Sequence, residues 1–119
     1  ELAMASQQPG ITFGSHTWSH RNLSALSAEE LERELAPSLA WLRSRFVNTI
    51  PWLTYPYGLS SPLVEKMTEA ARYRGALRVS GGWLSRHSAH AHALPRLGIP
   101  AGLSAHGFAL RLAGIAANR

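Results

Sequence analysis

The feature of this sequence that most constrains its fold is an alternation of short apolar runs with amphipathic helical patterns. Residues 10–14 (GITFG) are rich in β-branched and aromatic side chains and predict a first strand. Strand patterns at residues 50–55 and 76–79 each follow a helical pattern, and a fourth, at residues 94–99, contains Pro95. This order predicts an α/β fold with a largely parallel sheet, in which the proline-containing run lies at an edge.

The first long helical pattern begins after Ser27. Ser27 and Glu30 have the spacing of a capping box, which predicts a helix start at this serine. Pro37 lies inside the pattern and is expected to bend or interrupt the helix, because proline lacks a backbone donor. The predicted buried face consists of Leu31, Leu35, Leu39, Leu42 and Phe46. The charged residues expected to lie mainly off this face are Glu29, Glu32, Glu34, Arg43 and Arg45.

Two later helical patterns also begin at a serine. Ser61 followed by Pro62 is typical of an N-cap and a first helical position. Ser104 predicts the start of a last helix, which ends near Gly114. The residues predicted to face inward are Leu63, Met67, Ala70 and Ala71 in the earlier helix, and Ala105, Phe108, Ala109 and Leu112 in the later one.

Composition limits the possible partners. The 119 residues contain no cysteine, which excludes disulfides and cysteine-ligated metals, and no apolar run reaches the length of a membrane span. No signal-peptide pattern is present at the start. The net charge is +5, but the arginines are scattered, which favours solvated basic faces over a nucleic-acid site. All seven acidic residues are glutamate, so the chain has no aspartate.

Two histidines follow the first strand pattern directly, in the segment 14–20 (GSHTWSH). His16 and His20 are four residues apart, so a helical turn or a tight loop can bring both imidazoles to one ion. Neutral imidazole suits zinc and related metals. The alternative is that one histidine caps an element and the other is solvated. The position after a strand favours a functional site, because sites of α/β proteins gather at the carboxyl ends of strands.

The segment 54–58 (TYPYG) follows the next strand pattern and predicts an aromatic turn at the same edge of the sheet. Backbone N–H groups of such a turn could stabilise an oxyanion. The same residues also form ordinary turns. A third group of histidines, His87, His90 and His92, is expected to lie in a solvated loop.

Together, the two motifs resemble the polysaccharide deacetylase family (NodB-homology domains, carbohydrate esterase family 4). Residues 16–20 (HTWSH) match the family pattern H-[S/T]-x-x-H in full, and residues 54–57 (TYPY) match R-x-P-[Y/F] except at Thr54. The resemblance covers nearly the whole chain. It implies a partial (β/α) barrel whose N-terminal strands are missing, so that residues 1–119 form a single incomplete domain. It also implies metal-dependent removal of N- or O-acetyl groups from a polysaccharide.

The resemblance also assigns roles to residues. His16 and His20 would be ligands of a divalent metal, with zinc favoured, together with an aspartate. The backbone N–H of Tyr57 would hold the oxyanion, and His106, in the segment 103–106 (LSAH), is a candidate general acid. The candidate substrate-binding residues are Trp18, Pro56 and Tyr57.

The absence of aspartate leaves two hypotheses for the function. In the family, the general base and one metal ligand are aspartates of a T-F-D-D motif upstream of the histidines, and this chain has neither. We therefore expect a truncated form of a deacetylase, or, alternatively, a non-catalytic carbohydrate-binding or interaction remnant of the same fold. The expected partner is an acetylated polysaccharide or peptidoglycan-type glycan, in the cell envelope or outside the cell. Nucleic acid and a membrane span are not expected.

Overall fold

Four parallel strands form one sheet in the computed structural model, which describes residues 1–84 and 90–114. Their order in the sheet is their order along the chain, and each pairs with the next in parallel. The strands are β1 (Phe13–Ser15), β2 (Thr49–Thr54), β3 (Gly75–Gly81) and β4 (Leu94–Arg96). The predicted α/β class with a parallel sheet is confirmed, and the arrangement fits a partial barrel. The first strand begins three residues later than predicted, at Phe13.

Four α-helices accompany the sheet in the described residues. They are α1 (Leu2–Ala5), α2 (Ala28–Arg45), α3 (Pro62–Ala70) and α4 (Ala105–Leu112), and two single 3₁₀ turns span Leu23–Ala25 and Pro56–Gly58. Within the two described ranges, no helix is both long and apolar enough to cross a membrane.

Helix α2 packs its leucines against the sheet. The capping box at Ser27 is present, and Leu31, Leu35 and Leu39 are buried. The helix continues through Pro37, so of the expected bend or interruption the interruption is wrong. The buried leucines on both sides offset the one missing hydrogen bond. Glu34 was expected to be mainly off the apolar face, but it is buried on this face.

The inward faces of the two shorter helices differ from the predictions. Helix α3 buries Val64 and Thr68, whereas Leu63 and Ala70 are exposed. Thr68 can be buried because its hydroxyl donates to the Val64 carbonyl oxygen at 2.8 Å. No residue of α4 is buried against the described part of the chain, and Phe108 and Leu112 remain 42% and 44% exposed.

The loop before β4 is only partly solvated. His92 is buried, and its Nε2 atom lies 2.9 Å from the Tyr73 carbonyl oxygen. The hydroxyl of buried Tyr55 donates to the His92 carbonyl oxygen at 2.7 Å. The prediction of a solvated loop is therefore wrong for His92 and holds for His90, whose side chain is 63% exposed. His87 lies outside the described residues.

A half-buried carboxylate joins α3 to β3. Glu65 accepts a hydrogen bond from the Ser60 hydroxyl at 2.7 Å and forms an ion pair with the Arg78 guanidinium. Arg78 Nε also donates to the Ser60 hydroxyl oxygen, at 2.8 Å. Burial raises the pKa of Glu65, but the bonds from Ser60 and Arg78 outweigh burial and bring this pKa below its ordinary value of 4.5.

This network predicts the shape of the acid-unfolding curve. Because the pKa of Glu65 is lower in the folded state, its contribution to stability is complete above pH 4.5 and is lost as the pH falls through the folded-state value. We expect Glu65→Gln to lower stability at neutral pH and to weaken the loss of stability as the pH falls below 4.5. Urea unfolding across this range measures both effects. Glu69→Gln, at an exposed position of the same helix, is the control, and equal acid sensitivity in both variants would contradict the assignment.

Candidate metal and substrate site

The two motifs meet at the carboxyl ends of β1 and β2. Ser15 is in register with Leu53, so the chain leaves both strands at one edge of the sheet. The ring centroids of His16 and His20 are 4.7 Å apart, and those of His20 and Tyr57 are 5.1 Å apart. The structure therefore brings the predicted metal ligands together and places the aromatic turn beside them.

A backbone carbonyl orients His16. The Nδ1 atom of His16 lies 2.6 Å from the carbonyl oxygen of Thr54, the last residue of β2. Because a carbonyl oxygen only accepts, Nδ1 carries the proton, and in neutral imidazole the lone pair lies on Nε2. Metal-binding histidines in proteins are typically held in this way, with the second ring nitrogen donating to a carbonyl or a carboxylate.

The histidine loop has an unusual backbone. Thr17 and His20 have φ angles of 70° and 61°, in the left-handed region that costs a non-glycine residue about 1–3 kcal/mol. Local hydrogen bonds hold this conformation. The Thr17 N–H donates to the Ser15 hydroxyl oxygen at 3.2 Å, and the His20 N–H donates to the Thr17 hydroxyl oxygen at 3.1 Å. Such backbone strain clusters at functional sites, where the surroundings hold side chains in a required position.

The aromatic turn has a similar strain. Tyr57 has a φ angle of 58°, and its N–H has no hydrogen-bond acceptor among the described residues. This N–H is the group to which the family resemblance assigns the oxyanion. Pro56 is fully buried, so a contribution of Pro56 to sugar binding would act through the shape of the turn rather than through direct contact.

A cavity of about 430 Å³ lies between the two motifs. Its walls include His16, Tyr57 and, from β4, Arg96. The other lining residues are Gly14, Ser15, Thr54, Tyr55, Gly58 and Val79. None of these residues is acidic. His106 is not among them and is exposed in the first turn of α4, so its role as general acid stays a prediction.

A second cavity, of about 440 Å³, is lined by the histidine loop and by α2. Trp18 and Trp41 line this cavity together with His16, and Trp18 is 58% exposed. Trp18 therefore has a free aromatic face next to a candidate ligand, as a sugar contact requires. Trp18 and Tyr57 line different cavities, which adjoin at His16.

The donor set fits a divalent metal in part. Two imidazoles lie close together, edge to face at an interplanar angle of 73°, and the Nε2 atom of His16 is free to coordinate, which suits zinc. Catalytic zinc sites usually have three protein ligands. In residues 1–84 and 90–114, no third histidine or glutamate lies close enough to complete such a group.

Sequence reasoning missed two contributors to this site, the Thr54 carbonyl and Glu34. A carbonyl has no sequence signature, so the Thr54 contact required the register of β1 and β2. Glu34 hydrogen-bonds to Ser19, between the histidines, through its carboxylate. Its place beside Leu31 and Leu35, on the apolar face of α2, was the available signal.

Comparisons with known proteins show the family and the fold of this chain. A profile of the polysaccharide deacetylase family matches residues 1–76. A solved structure, the Streptococcus pyogenes deacetylase PplD in complex with acetate, is similar in fold, with a TM-score of 0.76 and 22% sequence identity. The match covers 86% of this chain and 45% of that one, so the chain spans less than half of that structure's length. No curated protein matches the sequence.

Proposed function

From the premise that this chain belongs to the polysaccharide deacetylase family, we propose that His16 and His20 bind a divalent metal, with zinc favoured, beside a cleft for an acetylated glycan. The observation that carries this proposal is the pair of imidazoles 4.7 Å apart, one of them oriented by the Thr54 carbonyl. A bound metal would act as a Lewis acid on the acetyl carbonyl group.

Residues of the chain would position the substrate around this point. The N–H of Tyr57 is the proposed oxyanion donor. It has no acceptor in the described part of the chain, and Tyr57 lines the cavity between the motifs. Arg96 adds a positive charge to the same cavity, which favours an oxygen that gains negative charge. The exposed ring of Trp18 would pack against a neighbouring sugar.

Among the described residues around the cavity, none is a carboxylate that could act as the general base. The sequence contains no aspartate, and no acidic residue lines the cavity between the motifs. A positioned base contributes about 10²- to 10⁴-fold to the rate of a reaction of this kind. We therefore expect the 119 residues by themselves to bind an acetylated glycan in a zinc-dependent manner and to release acetate slowly.

The second candidate, carbohydrate binding without catalysis, is favoured by the same absence of acidic residues. The two candidates differ in whether acetate is released. They share a substrate class, an acetylated polysaccharide of the cell envelope or the extracellular space, which is proposed from the family resemblance.

The experiment compares an N-acetylated amino-sugar oligomer with its deacetylated form. Calorimetry with and without zinc should show tighter, zinc-dependent binding of the acetylated oligomer, and an acetate assay then separates slow hydrolysis from binding alone. Trp18→Ala should weaken binding about tenfold, whereas Trp83→Ala, equally exposed at 58% and outside both cavities, should not. Equal binding of the two oligomers, with no effect of zinc, would contradict the proposal.

A further inference from the structure

Glu34 is a buried carboxylate on the leucine face of α2, only 6% exposed. Two of its hydrogen bonds come from Ser19, in the loop between the two histidines. The Ser19 N–H donates to Oε2 at 2.9 Å, and the Ser19 hydroxyl donates to Oε1. Both carboxylate oxygens are therefore directed at the histidine loop.

The backbone of Glu34 holds the same loop. Its carbonyl oxygen accepts a hydrogen bond from the Trp18 N–H at 3.1 Å. One helical residue thus binds two successive N–H groups and one hydroxyl of the loop. The segment that it holds lies between Thr17 and His20, the two residues with left-handed backbone.

The carboxylate is charged in this position. Burial raises the pKa of Glu34, but the two hydrogen bonds from Ser19, together with the nearby Trp18 N–H and the charge of Arg21, outweigh burial and bring this pKa below 4.5. Charge-assisted hydrogen bonds are stronger than neutral ones, so this contact suits the task of holding a strained loop.

We propose that Glu34 is a positioning residue, which holds His20 at the distance from His16 that a shared metal ion requires. This inference rests on the proposed function. Without the carboxylate, Thr17 and His20 can relax from the left-handed region, and the His20 ring then moves away from its partner. Glu34 is not assigned as a ligand itself, because in the described part of the chain it does not form a group of three potential ligands with the two histidines.

The test measures zinc affinity and ring geometry separately, in the full 119-residue chain. Glu34→Ala should lower zinc affinity about tenfold, the size typical of losing a partner outside the ligand shell. Glu34→Gln should keep most of the affinity, because an amide can accept from the Ser19 N–H while donating to its hydroxyl. The control is Glu32→Ala, an exposed glutamate of the same helix.

The second measurement needs no metal. The centroid distance of 4.7 Å predicts a nuclear Overhauser effect between the His16 and His20 rings in zinc-free protein. This signal should weaken in Glu34→Ala and persist in the Gln and Glu32→Ala variants. If Glu34→Ala does not fold, Ser19→Ala removes the hydroxyl contact alone and should weaken the same signal.

The outcomes separate this inference from the proposed function. A wild-type chain that binds no zinc contradicts the proposed function, while the ring signal still decides the role of Glu34. A folded Glu34→Ala or Ser19→Ala variant with an unchanged ring signal overturns the positioning role. A Glu34→Ala variant that binds zinc with the affinity of the wild-type chain overturns it as well.

Discussion

Replacing both His16 and His20 with alanine is expected to abolish specific zinc binding by this chain. The two rings lie 4.7 Å apart, and no group of three potential ligands forms in the described residues, so no fuller ligand set there competes with this pair. The loss should exceed the roughly 10- to 100-fold that removing an outer hydrogen-bond partner costs, because the ligands themselves disappear. Zinc content after dialysis and a cobalt titration followed by absorbance measure this effect.

The matched control for this experiment removes two other histidines. His90 and His106 are both exposed and line neither cavity, so the variant His90→Ala/His106→Ala deletes the same number of imidazoles from the surface. It should keep the wild-type zinc content. Equal loss in both double variants, or equal retention, would mean that zinc binds adventitiously and that the proposed site is wrong.

The sequence predicted the parts of the site that depend on local pattern. The spacing of His16 and His20, after a strand that ends at Ser15, was enough to place both rings at one sheet edge. The position of the second motif followed from the parallel order of β1 and β2. The family resemblance added the deacetylase fold, which the match to residues 1–76 and the structural similarity confirm.

The parts that the sequence missed depend on tertiary contacts. In α3, Val64 and Thr68 are buried instead of Leu63 and Ala70. Thr68 can be buried because its hydroxyl hydrogen-bonds to a carbonyl oxygen of the same helix. Glu34 was predicted to lie off the apolar face because charged side chains are rarely buried without a partner. Its partner, Ser19, is known only from the tertiary structure. Helix α4 has an apolar pattern but buries none of its residues in the described part of the chain, so periodicity alone overstated its packing.

Substituting Gly58 with alanine is expected to cause the largest loss of stability among single changes near the site. Gly58 has a φ angle of 68°, and a Cβ atom there would lie 2.2 Å from Val79 Cβ and 2.5 Å from Val79 N. Val79 lies within β3, and two of the three closest atoms are its backbone N and Cα, which cannot rotate away as the end of a side chain can. Backbone strain and overpacking together should lower the free energy of unfolding by about 3 kcal/mol or more.

Two other glycines separate strain from steric overlap. Gly10 has a φ angle of 81° but open space around it, so Gly10→Ala should cost only the backbone strain, about 1 kcal/mol. Gly98 has open space and no left-handed backbone, so Gly98→Ala should be nearly neutral. Urea unfolding of the three variants then assigns the excess loss in Gly58→Ala to contact with β3.

The same contact links stability to the site. Trimming Val79 to alanine in the Gly58→Ala background should not restore stability, because the backbone nitrogen of Val79 stays 2.5 Å from the new Cβ atom. The strain must then move the turn that holds Tyr57, so any folded Gly58→Ala protein should bind the acetylated oligomer more weakly than Gly10→Ala does. A Gly58→Ala variant as stable as Gly10→Ala, with unchanged glycan binding, would show that the close approach of this turn to β3 is not required.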